Sequence, residues 1–139
     1  MVGETEENLK IAFASEAQAN TRYVLFAEIA KREGYYDIAG HFRRVAEEET
    51  KHARALFEML YPQISTKDVL KMALEVEARE NTLYSQFAAV ADKEGKNADA
   101  AELRRLLNEA KEHFEECAKN ERAHAEVYRK GLELLFPGV

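Results

Sequence analysis

Apolar side chains recur every three or four residues along almost the whole chain, with charged residues between them. That spacing marks amphipathic helices, and the alternating pattern of strands is nearly absent. It predicts four helices. The first runs from about Glu6 to Arg32, with Thr5 as its cap, acidic residues in its first turn and Gly34 ending it. The second covers about 37–60, with Ile38, Phe42, Val45, Leu56 and Met59 on one face, and stops before Pro62. The segment YPQISTKD is expected to be a connector long enough to cross a bundle, with Ser65 or Thr66 capping the third helix. That helix spans about 67–93 and ends at Gly95; the fourth takes some or all of 98–136 and ends at Pro137.

The same segment is written twice. SEAQANTRY (15–23) aligns without gaps on VEARENTLY (76–84), and the shift of 61 residues extends to Phe26/Phe87, Ala27/Ala88 and Gly34/Gly95. The second helix of each pair repeats too. HFRRVAEEETKHA (41–53) lies over HFEECAKNERAHA (113–125), with a shift of 72. The second half therefore carries 11 additional residues between Gly95 and His113. We expect these to form a separate or kinked piece near Asn97–Asn108. Tight turns make helices one and two antiparallel neighbours, and likewise three and four. The expected fold is all-α: one domain over 1–139, an antiparallel four-helix bundle of two duplicated hairpins, about 5–61 and 66–136.

Composition narrows the functional classes. With 46% hydrophobic and 33% charged residues, the chain suits a globular domain rather than a disordered one. A net charge of −6 argues against a nucleic-acid surface. No apolar run approaches the roughly 20 residues that span a bilayer, and the acidic start MVGETEEN is unlike a secretory signal. The cytoplasm is the expected location. The single Cys117 excludes an internal disulfide and a four-cysteine metal site, and reads as packing.

The chemistry lies on the apolar faces. Glu16 shares a stripe with Ala12, Asn20, Tyr23 and Ala27. Glu49 and His52 continue the row of Phe42 and Val45. Glu77, with Glu80 one turn on, lies with Leu70, Leu74 and Tyr84. Glu121 and His124 follow Phe114 and Cys117. A histidine three residues after a glutamate is its neighbour on a helix surface. Gathering four or more carboxylates in a core costs several kcal/mol for each unpaired ion, and no basic residue on these faces offsets it. Two divalent cations would. One Glu from each of two helices plus Glu-x-x-His from each of the other two is the ligand pattern of di-iron carboxylate bundles. Oxygen and imidazole donors suit iron or manganese, and also accept zinc. The duplication is thus read as two halves of one site.

FASEAQANTRY, AEEETKHAR and NERAHAEVY resemble the di-iron domain of rubrerythrins, a ferritin-like four-helix bundle. The resemblance covers nearly the whole chain, more loosely in helix three. It implies two iron ions, Glu16 and Glu77 as terminal ligands, Glu49 and Glu121 as bridging carboxylates, and His52 and His124 as one ligand to each ion. Glu80 matches the family's additional glutamate, which exchanges with the helix-two histidine between redox states. Tyr23, and Tyr84 as its counterpart, would hydrogen-bond a ligand carboxylate. The implied activity is reduction of hydrogen peroxide to water, with electrons from a rubredoxin-like donor, by a homodimer; the connector at 61–66 and the insertion offer hinges for helix exchange between protomers.

Three departures bear on that reading. The paired Cys-x-x-Cys motifs of the family's rubredoxin domain are absent, so the resemblance is to the shorter members and the electrons are expected from a separate donor. Tyr84 stands seven residues beyond Glu77 where the family has eight, so a residue attributable to a π-bulge is missing and Glu80 is the least secure ligand. The 11-residue insertion has no counterpart. A ferroxidase or oxygen-activating oxidase with the same ligands, and a non-catalytic metal-binding protein, are the alternatives.

Overall fold

A computed structural model describes residues 3–138. Four helices succeed one another: α1 (Glu4–Arg32), α2 (Tyr36–Leu60), α3 (Thr66–Asn97) and α4 (Ala101–Leu135). They form two compact units that divide between Gln63 and Ile64. Unit one is the α1/α2 hairpin and unit two the α3/α4 hairpin.

Helix ends obey local chemistry, with two corrections to expectation. Thr5 does not cap α1. The helix begins two residues earlier, with Gly3 at the cap position and no capping side chain, and Glu4, Glu6 and Glu7 in the first turn favour the positive end of the helix dipole. Gly34, at φ 87°, makes the turn into α2, and the Tyr35 N–H donates to the Ala30 carbonyl at 2.8 Å. Ser65 caps α3 as expected: its hydroxyl accepts from the Asp68 N–H at 3.2 Å, and the Asp68 carboxylate accepts from the Ser65 N–H at 3.0 Å. Since Thr66 already belongs to α3, the connector is only residues 61–65.

The second correction concerns the insertion. It is neither a separate helix nor a kink. Judged against α1 and α2, four of its residues lengthen the end of α3 (94–97) and seven lengthen the start of α4 (101–107). Gly95, the counterpart of the turn glycine Gly34, is buried inside α3. A Cβ there would stand 3.2 Å from Asn108 Oδ1 and 3.5 Å from Leu107 Cβ. The stop signal is overridden because α4 packs against that spot.

Each hairpin closes on alanine. The buried apolar side chains are Ala27, Ala30, Ala39 and Ala46 in unit one, and Ala88, Ala91, Ala118 and Ala125 in unit two. Small residues at the seam let paired helices approach closely. Larger side chains lie beside the seam in two matching aromatic clusters. Tyr23 stacks on Phe42 at 5.9 Å with Phe26 edge-on at 5.8 Å, and Tyr84 stacks on Phe114 at 6.2 Å with Phe87 edge-on at 6.2 Å. Two helices cannot enclose such groups, so Phe26 and Phe87 stay 38% and 42% exposed. An Asp92–Lys111 ion pair at 3.0 Å also ties α3 to α4.

Ser65→Ala is expected to lower stability by about 1 kcal/mol, read as a shift in the urea midpoint. The Ser65 hydroxyl and N–H hold the Asp68 carboxyl below its ordinary pKa. A lowered folded-state pKa contributes stability above the ordinary carboxylate range and loses it as pH falls through the folded value. The difference between parent and variant should therefore narrow in acid.

Candidate metal centre

In unit one, the mid-helix positions of α1 and α2 bring Glu16, Glu49 and His52 together. One ligand atom from each lies within 4.8 Å of the other two. His52 Nδ1 is 3.6 Å from Glu16 Oε2 and 3.6 Å from Glu49 Oε2. Unit two repeats the arrangement with Glu77, Glu121 and His124, again within 4.8 Å. His124 Nδ1 is 3.3 Å from Glu77 Oε2 and 3.6 Å from Glu121 Oε2. In each unit a lone Glu comes from the first helix and a Glu-x-x-His pair from the second. The carboxylates are mostly covered and the imidazoles about half exposed: side-chain exposure is 14% for Glu77 and Glu121, against 55% for His124.

Each triad sets two carboxylates against each other with only an imidazole as a possible positive partner. The electrostatic strain shows at Glu49. Its carboxyl is pushed above its ordinary pKa, first by the shared hydrogen bond with Glu16, then by burial and the Glu16 charge, with His52 partly opposing. Two hard oxygen donors and one imidazole per hairpin fit iron or manganese and tolerate zinc.

The register that aligns each triad is held by an amide. Asn20 Nδ2 donates to the Ala46 carbonyl at 2.8 Å and to Thr50 Oγ1 at 2.7 Å. Asn81 Nδ2 donates to the Ala118 carbonyl at 2.6 Å. Asn20 and Asn81 stand four residues after Glu16 and Glu77, and Ala46 and Ala118 three before Glu49 and Glu121. The sequence shows this asparagine as a repeated letter, and its role in helix-to-helix register emerges only with the carbonyls in place.

Other expected site residues are placed differently. Glu80 is half-buried one turn past Glu77 and belongs to neither triad. Tyr23 and Tyr84 make no hydrogen bond to a carboxylate of their own hairpin among the described residues. Their rings lie two turns, about 10 Å, along the helix from Glu16 and Glu77, inside the aromatic clusters.

The sequence that carries these two triads is similar to known proteins. The family model for rubrerythrin matches residues 7–67. A rubrerythrin of Porphyromonas gingivalis is 39% identical over 78% of this chain and 62% of its own length. A rubrerythrin of Clostridium perfringens is 36% identical over 83% of this chain and 68% of its own length. A putative rubrerythrin of Methanocaldococcus jannaschii is 34% identical, over 84% and 68%.

The chain belongs to the rubrerythrin family. Its fold class is accordingly the all-α, ferritin-like one, and the family implies a di-iron centre. The chain spans 62% of the Porphyromonas rubrerythrin's length, so the activity of the longer relative does not transfer as a whole. Among the described residues no helix is long and apolar enough to cross a membrane.

Asn20→Ala and Asn81→Ala should each cost about 1 kcal/mol through the lost hydrogen bond. If they set register, they also weaken metal affinity without lowering the number of ions bound at saturation. Isothermal titration with manganese(II) separates the two effects. Unchanged affinity in both variants would reduce the asparagines to packing.

Proposed function

We propose that the chain is a non-haem di-iron peroxidase that reduces hydrogen peroxide to water in defence against oxidative stress, drawing electrons from a separate rubredoxin-like protein. The observation that carries this reading is the equivalence of the two triads. Each offers one lone carboxylate, one carboxylate paired with a histidine, and that histidine. Together they supply four carboxylates and two imidazoles, enough for two ions. Glu16 and Glu77 would be the terminal ligands, Glu49 and Glu121 the bridging ones, and His52 and His124 one ligand to each ion. When bound, the iron pair supplies the two electrons that, with two protons, convert one peroxide into two waters.

The protein's own groups shape that chemistry. The carboxylates concentrate negative charge, which favours the higher metal oxidation state. Glu80 stands outside the triads but one turn from Glu77, so it is placed to hold a proton rather than a metal. The aromatic stacks of Tyr23 on Phe42 and Tyr84 on Phe114 lie two turns along the helices and stiffen the hairpins that carry the triads. We place the protein in the cytoplasm, where a lone thiol such as Cys117 stays reduced.

One observation favours a second reading, an oxygen-activating oxidase or ferroxidase. α3 is continuous α-helix through Glu77, Glu80 and Tyr84. Without a π-turn, Glu80 keeps the regular helical register and joins neither triad, so the ligand exchange implied for the peroxidase is disfavoured. A non-catalytic metal-binding role is the remaining alternative.

Metal analysis and stopped-flow absorbance separate these readings. Protein purified without oxygen should carry about two iron ions per chain, and the ferrous form should be oxidised faster by one equivalent of peroxide than by air-saturated buffer. Faster oxidation by oxygen would shift the assignment to the oxidase; no response to either would leave metal binding alone. His52→Ala combined with His124→Ala should remove most of the bound iron. Glu80→Ala should keep the iron and slow peroxide turnover at least tenfold, and parent-rate turnover would end the proton-donor role.

A further inference from the structure

The two hairpins repeat each other, and they differ beside the ligands. Asn20 and Asn81 occupy the same place, and so do Ala46 and Ala118, whose carbonyls accept from them at 2.8 Å and 2.6 Å. The next contact is not repeated. Asn20 Nδ2 also donates to Thr50 Oγ1 at 2.7 Å, and the Thr50 hydroxyl donates to the Ala46 carbonyl, one turn back, at 3.1 Å. The three groups close a ring of hydrogen bonds between α1 and α2. Under the shift of 72, Thr50 corresponds to Arg122. A guanidinium only donates, so it offers nothing to the Asn81 amide, and Arg122 lines a groove between α3 and α4 with Ser85 and Lys111 instead. Among the described residues the Asn81 amide has one acceptor.

The ring brackets a ligand. Ala46 lies three residues before Glu49 and Thr50 one residue after it, and Asn20 lies one turn past Glu16. A slide of α1 that parts Glu16 from Glu49 must therefore break two inter-helix bonds, and the same slide at Glu77 and Glu121 breaks one. The imidazoles differ in the same sense. His52 Nδ1 stands 3.6 Å from both carboxylates of its triad, whereas His124 Nδ1 is drawn to Glu77, at 3.3 Å against 3.6 Å from Glu121. Charge does not separate the hairpins. Arg54 lines a groove between α1 and α2 as Arg122 does between α3 and α4. Burial separates them little, since the carboxylates are mostly covered in both.

We infer that Thr50 is a positioning residue that makes the two metal sites unequal, so that the triad of hairpin one holds its divalent ion about tenfold more tightly, in the range set by hydrogen bonds around metal ligands, and fills first. This rests on the reading that each triad ligates one ion. Ligands already held in register lose less freedom when an ion arrives, and the hydroxyl supplies that hold in one hairpin only.

Calorimetric titration of the full chain with manganese(II) tests this. The parent should show two steps whose affinities differ about tenfold. Thr50 is exposed, so its variants should fold. Thr50→Val keeps the shape and removes the hydroxyl, and it should bring the tighter step down to the weaker one, while Thr50→Ser should preserve both. The reciprocal change should gain affinity, which a merely structural role would not produce. Arg122→Thr offers Asn81 a second acceptor and should raise the weaker step several-fold above Arg122→Val, which removes the same charge without adding a hydroxyl. Two equal steps in the parent, unchanged steps in Thr50→Val, or equal effects of Arg122→Thr and Arg122→Val would each overturn the proposal while leaving the triads as ligands. A parent that binds no manganese overturns the ligand reading itself, and the proposal with it.

Discussion

Two carboxylates facing each other across a helix pair, with no ammonium or guanidinium between them, set the terms for the rest of the molecule. Such an arrangement is unfavourable by itself, as the raised pKa of Glu49 shows. It persists because the backbone leaves the side chains little choice. The alanine seam fixes the helix separation, and the asparagine amide fixes the register, so the carboxylates meet in either hairpin. The same geometry occurs in both hairpins, and a positive charge from outside the chain would offset the carboxylates in each.

Much of this was legible in the letters. The spacing of apolar residues located all four helices, and Gly34 and Ser65 marked helix ends because their signals act within a few residues. The triads were legible because a helix brings i and i+3 to one surface, and because the duplication repeats the pattern. Gly95 was misleading. Its usual effect is to end a helix, and only the partner helix, with Leu107 and Asn108 against its backbone, shows why the helix continues. Thr5 failed for a local reason, since a start two residues earlier puts its hydroxyl out of capping position. The tyrosine hydroxyls were assigned by analogy; within each hairpin their rings lie in the aromatic clusters.

The insertion shows how a duplicated hairpin diverges without disturbing its chemistry. The seven residues added to α4 are close to two full helical turns, so α4 keeps its face toward α3 while its start moves away from the triad. Four residues on one helix and seven on the other lengthen the hairpin only at its tip. The ion pair of Asp92 with Lys111 and the contact at Gly95 supply new cross-helix interactions in the lengthened region.

The alanine seam has a consequence for how the chain reaches its folded state. Burying a methyl group returns far less than burying a leucine or phenylalanine, so a single hairpin gains little against the entropy of ordering more than fifty residues. A hairpin by itself is thus a poor resting point, because its large side chains stay partly open to water. Most of the apolar area that could reward folding therefore lies outside the seam, on side chains that one hairpin leaves open.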